Sequence, residues 1–185
     1  MKRILILTAL VLTVWAAAAE ADDVEEGLAS ALAAYKQGDL PRTGALLNDV
    51  AMMLNNNREF KIREMRLCSA VNDFRDYTPL AAPLIKATEP LLAYIEPEGY
   101  RIIKQNDGYA IHLSEDIRII DEKGGVVFEK NDWLTYQKSF PQAMIPFFIT
   151  NRLTDIPAGK YKLEVTIKDH QRQAFIRAGL DFSVE

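Results

Sequence analysis

Two histidines, one cysteine and a few neighbouring carboxylates are the residues of this 185-residue chain whose types could do chemistry. His112 and His170 are the only histidines, and neither HxxH nor CxxC occurs, so no metal-ligand spacing is present and no metal or cofactor is expected. Cys68 could form a thiol–imidazole dyad with His112 only if two strands distant in sequence brought the side chains into hydrogen-bond reach. No motif around Cys68 activates a thiol, and a lone free cysteine reads as a small buried apolar residue. Glu96 and Glu98 flank Pro97, and Glu115 adjoins Asp116. Paired acids hydrolyse glycosides when they face each other across a cleft, whereas neighbours on a strand point to opposite faces. The run DEKGG at 121–125 lacks the alternating oxygen ligands of a calcium loop, and neither G-x-S-x-G nor a P-loop occurs. No catalytic residue is assigned, the chain reads as a non-enzyme, and a hydrolase using Cys68 or a carboxylate pair ranks last.

The stretch most suggestive of binding is FEKNDWLTYQKSFPQAMIPFF, residues 128–148. It reads as a long connection between strands carrying Trp133, Tyr136 and Phe140. Long connections in compact domains often carry function, and exposed aromatics stack on sugars or anchor a protein partner. The alternative is that Trp133 tucks into the edge of the fold.

Two kinds of element must position these residues. Residues 23–56 carry helical spacing: Val24, Leu28, Leu32 and Tyr35 fall on one face. In QGDLPR, Gly38 suits a helix end, and Asp39 or Leu40 with Pro41 suits the next start. A second helix then carries Leu46, Leu47, Val50, Met53 and Leu54. From Phe60 the period becomes two. Residues 91–95 alternate and stop at Pro97 and Gly99. Tyr109 to Leu113 and Ile117 to Ile120 read as two strands. A turn at Asp121–Gly125 leads to Val126–Phe128, and MIPFFITNRL reads as another strand. In KYKLEVTIKD, Tyr161, Leu163, Val165 and Ile167 point inward; QAFIRAGLDFSV closes the set. About seven short strands without helical crossovers, each with one apolar face, predict antiparallel sheets wet on one side, in an immunoglobulin- or fibronectin-like β-sandwich.

The first residues set the compartment. Lys2 and Arg3, an apolar run from Ile4 to Ala19 and the Ala19-Glu20-Ala21 triplet have the layout of a secretory leader, predicting removal of residues 1–21 and a start at Asp22. Ala17-Ala18-Ala19 is a competing cleavage site. Without Lys2, Arg3 and Glu20 the chain keeps 20 basic and 25 acidic residues, a net charge of −5. That balance argues against nucleic acid and anionic lipid as partners. One cysteine cannot close an internal disulfide. The chain is expected to be exported, periplasmic or extracellular, with no membrane span after leader removal.

AYKQGDLPRTGALLNDVAMML resembles one tetratricopeptide-type hairpin, with Gly38, Leu47 and Ala31 in place but Thr43, Val50 and Gly27 departing from its pattern. No second copy occurs. Residues 58–185, through Phe60, Cys68, Tyr77-Thr78-Pro79, Tyr94, Glu96 and Gly159-Lys160-Tyr161, resemble secreted bacterial proteins of unassigned function. These have a short helical lead before an immunoglobulin-like sandwich; the resemblance carries no catalytic residues. The resulting expectation is a leader over 1–21, a helical hairpin over 22–57 and a sandwich over 58–185. It would serve as a non-catalytic binding or assembly module of the bacterial envelope with a protein partner, or alternatively as a glycan or small-ligand binder using Trp133, Tyr136 and Phe140.

Overall fold

The computed structural model describes residues 23–106, 108–143 and 146–185; the expected leader lies outside them. Two helices lead, α1 over residues 23–36 and α2 over Leu40–Asn56. Asp39 caps α2 by accepting from the Arg42 amide at 3.1 Å, and Pro41 sits in the first turn, where its missing N–H costs nothing. The helices meet on small residues. Ala31, Ala34 and Val50 are buried, and a Cβ on Gly27 would lie 2.7 Å from Val50 Cγ2. α2 then docks on the sandwich, through Asp49 to Lys104 and Tyr109 and through its last turn to the segment between β4 and β5. Asn55 donates to the Tyr100 carbonyl at 2.7 Å, and Asn56 both donates to and accepts from the backbone of Ile102.

Among the described residues, ten strands form two sheets. The first runs β2 (Asp76–Pro79), β1 (Lys61–Asp73), β4 (Leu91–Glu98), β8 (Ile149–Leu153). The second runs β3 (Leu84–Ile85), β10 (Ala174–Val184), β9 (Gly159–Asp169), β6 (Gly108–Asp121). On β6 lie also β5 (Ile103–Gln105) and β7 (Val126–Phe140). All pairings are antiparallel except β3 with β10. Between the sheets pack Leu91, Ala93 and Ile95 of β4, Ile117 and Ile119 of β6, and Leu163, Val165 and Ile167 of β9. The expected β-sandwich is the observed fold. The Tyr161 hydroxyl donates to the Pro157 carbonyl at 3.0 Å and pins the entry to β9, as tyrosines do at sandwich corners.

Three local expectations need correction. The two strands expected over 109–113 and 117–120 are one strand, β6, continuous through the polar Ser114-Glu115-Asp116. The long connection expected from Phe128 is mostly strand: β7 pairs β6 from Phe140 back to Val126. A bulge hides this, because β7 spends extra residues between the pairs Glu115–Leu134 and Ile117–Lys130, with Asp132 at φ 48. The alternation changes phase there, and the polar pair Asn131-Asp132 looks like a turn. Finally, β4 is buried on both faces rather than wet on one, and Pro97 lies inside its ladder opposite Ile62, next to a register shift in β1. β4 stops at Gly99 instead, at φ 70, where a Cβ would sit 2.1 Å from the Glu59 carbonyl oxygen.

Candidate functional site

The three aromatics singled out above lie on β7 and turn inward. Trp133 packs against the main core, meets Phe128 edge-on at 5.9 Å, and donates through Nε1 to Asn151 Oδ1 at 3.1 Å. Tyr136 meets Phe147 edge-on at 5.1 Å, and Phe140 packs on a second cluster around Tyr100, Tyr109 and Ile111. All three are half-buried. An exposed stacking platform is therefore not what this strand presents.

Trp133 leads to an interior polar link. Asn151 of β8 faces the core beside Ala93 and donates to Glu115 Oε1 at 2.6 Å. Glu115 is fully buried, and among the described residues its Oε2 has no hydrogen-bond partner. Burial, aided by the charge of Asp116 and partly opposed by the Asn151 bond, pushes its carboxyl up to about 7. Asp116 points the other way, as adjacent strand residues must, so the two acids form no pair.

The outer face of β6 brings together a serine, a histidine and an aspartate that no spacing announced. Ser114 Oγ lies 2.9 Å from Asp132 Oδ1 and 2.8 Å from His170 Nε2. The hydroxyl has one proton. The Asp132 carboxylate, held low by its bonds from Ser114 and Lys168, can only accept, so Ser114 donates to Asp132 and Nε2 donates to Ser114. A nucleophilic serine needs the imidazole to accept. Ser114 is also buried. With Lys168 bound to Asp116 and Asp132 at 2.7 and 3.2 Å, this network braces the bulge. The His112 ring stacks on His170 at 4.2 Å. Cys68 is buried, and burial pushes its thiol up, away from reactivity. Among the described residues, no group of three or more His, Cys, Asp or Glu is placed to hold a metal.

A groove of about 1180 Å³ lies between α2 and the four-stranded sheet. α2 lines it with Leu47, Ala51 and Leu54, and the sandwich with Ile62, Pro97 and Phe147. Arg58, Lys61, Arg63 and Arg75 also line it, against only Glu96 and Glu98. Glu96 is buried and clamped. Arg63 Nε and Arg75 Nη2 each reach its Oε1 at 2.7 Å, and the Tyr94 hydroxyl reaches Oε2 at 3.3 Å. Burial works to raise this carboxyl, but the bonds from Arg75 and Arg63 outweigh it and hold Glu96 below the usual carboxylate range. The guanidinium side chains stay 41% and 51% exposed. Arg75, at φ 58 in the β1–β2 turn, folds over β4 and donates its backbone N–H to the Tyr94 hydroxyl at 3.2 Å. Tyr77 stacks on Tyr94, and Tyr94 on Phe148. Tyr77, Tyr94 and Glu96 thus meet beside the groove.

The groove shares Leu47 and Leu54 with an open apolar face of the hairpin. The stripe Leu28, Leu32 and Tyr35 is not the face that packs; Leu32 is 53% and Tyr35 61% exposed. Successive helical residues turn by about 100°. The stripe therefore lies about a quarter turn from the Gly27-Ala31-Ala34 seam, and Leu47 and Leu54 lie in the same rotational sense from Val50. In an antiparallel pair, equal offsets from the seam fall on one side of the hairpin. All five side chains share that side and are exposed. The periodicity identified the stripe, but small residues let α2 approach more closely on the neighbouring face.

No protein-family model matches the chain, and no curated protein matches it. Among solved structures, it is similar to a PKD domain of an M14-like peptidase from a Thermoplasmatales archaeon (TM-score 0.40, 10% identity, covering 69% of this chain and 97% of that one). It is similar also to CopC from Methylosinus trichosporium OB3b (TM-score 0.37, 16% identity, 69% and 94% covered). A third likeness is to a CARDB domain from Pyrococcus furiosus (TM-score 0.36, 10% identity, 69% and 88% covered).

Proposed function

We propose that this chain is an exported, non-catalytic binding and assembly module of the bacterial cell envelope. Its binding surface is the groove between α2 and the four-stranded sheet, together with the open face of α1. One observation carries this reading: five large apolar side chains on one side of the hairpin stand in water, and two of them, Leu47 and Leu54, line a groove of about 1180 Å³. Contiguous apolar surface rimmed by charge is what a protein-binding site offers. The candidate catalytic groups support it from the other side, since Ser114 is wired as a donor, Cys68 is buried and Glu115 is sealed in the core. The leader pattern over residues 1–21 supports export, and no helix among the described residues is long and apolar enough to cross a membrane. α2 is bonded to the sandwich, and α1 packs on α2 with its apolar stripe exposed.

A photo-crosslinking residue placed at Leu54 tests the reading in living cells. Discrete adducts larger than the single chain are expected from position 54. None are expected from position 123, in the exposed turn after β6. Equal labelling from both positions, or none from 54, overturns it.

A further inference from the structure

We infer that the occupant of this face is a second copy of the chain, each copy laying its α1 into the other's groove. This rests on the groove being the binding surface. The argument is complementarity within one sequence. α1 carries Asp23, Glu25 and Glu26 against Lys36 alone, and of these acids Glu25 falls beside the exposed stripe of Leu28, Leu32 and Tyr35. The groove carries four cations against two carboxylates, beside Leu47, Leu54 and Ile62. An acidic helix with an apolar stripe matches a basic groove with an apolar wall. α1 does not lay its stripe into the groove of its own chain, because its seam with α2 at Gly27 and Val50 turns its small-residue face to that helix and leaves Leu28, Leu32 and Tyr35 exposed. A twofold axis removes the conflict. The α1 of each copy meets the groove of the other, both contacts form together, and no edge is left over for a third copy. Exposed Arg63 and Arg75, two guanidiniums sharing the single carboxylate of Glu96, have N–H groups left for a carboxylate of the incoming α1.

Sedimentation velocity over a dilution series, on the exported chain purified free of other proteins, tests this directly. A dimer that dissociates on dilution is expected. Leu32→Glu should raise the dissociation constant by about a hundredfold, and Tyr35→Lys on the same face by at least about tenfold. Both sites are exposed, so circular dichroism should show an unchanged fold. Glu25→Lys, beside the stripe, should weaken the dimer severalfold, and raised salt should do the same. Asp181→Lys, on β10 away from the hairpin, should change nothing. A chain that stays monomeric throughout, or a dimer indifferent to Leu32→Glu and Tyr35→Lys, overturns the inference. A monomer accompanied by persistent position-54 adducts in cells sinks the inference alone and leaves the groove reading standing. A monomer without such adducts sinks both.

Discussion

The side-chain amide of Asn151 donates to Oε1 of Glu115 across 2.6 Å, and this bond spans the interior from the four-stranded sheet to the six-stranded one. The same amide accepts from Trp133 Nε1. Three polar side chains thus tie β6, β7 and β8 inside an otherwise apolar core, with one carboxylate oxygen left over.

That arrangement makes stability pH-dependent in a definite direction. The folded chain holds the Glu115 proton up to about pH 7, against an ordinary value of 4.5. Between those values the folded state binds more protons, so the contribution is complete below 4.5 and is lost as pH rises through 7. Glu115→Gln keeps the acceptor for Asn151 and removes the charge. Urea unfolding should show the variant equal to the parent at pH 4 and more stable at pH 8.5, by about 3 kcal/mol. Parallel stability curves for the two proteins would contradict this.

Trp133→Phe separates a structural tryptophan from a ligand platform. It keeps a ring in the core and deletes the donor to Asn151. The expected cost is about 1–2 kcal/mol in unfolding free energy, with groove-dependent crosslinking unchanged. Loss of crosslinking in a folded Trp133→Phe protein would return the binding role to β7.

At Glu96 the sign reverses. Its folded carboxyl lies below the ordinary value, so its contribution is present above pH 4.5 and disappears as pH falls through the folded value. Glu96→Gln should destabilise by about 1–3 kcal/mol at pH 7 and release the Arg75 turn. The deficit should close on acidification. A deficit that does not change with pH would mean packing, not charge, holds the turn.

Gly27→Leu should pry α1 from α2, since even a Cβ there lies 2.7 Å from Val50 Cγ2. Limited proteolysis is expected to cut within residues 23–38 while the sandwich fragment survives. An uncut hairpin would show that the seam is not where the helices are held.

Much of this fold was legible because local chemistry and packing agreed. Gly38, Asp39 and Pro41 mark the helix junction, and the strict alternation from Tyr161 to Ile167 marks β9. The misses have specific causes. Ser114-Glu115-Asp116 looked like a break because one of its acids is buried, which periodicity alone reads as solvent. The bulge at Asp132 shifted the phase of β7 and turned a strand into an apparent connection. The candidate site was less legible than the fold. Its pieces, Leu54, Ile62, Arg75 and Pro97, lie on four separate elements, and only the docking of α2 on Tyr100 and Ile102, just beyond β4, brings them to one groove. Apolar periodicity located the stripe on α1 but carried no information about whether anything covers it.

β7 pairs only with β6 among the described residues, so its far side is the open margin of the larger sheet. A margin fifteen residues long, if straight, would be a template on which further chains could add strand by strand into fibres. The kink at Asp132 breaks that row of free amides in its middle, and Lys130 and Lys138 set charge on either side of it. The strand is long enough to cover the sheet yet too crooked and too charged to recruit another strand along this margin.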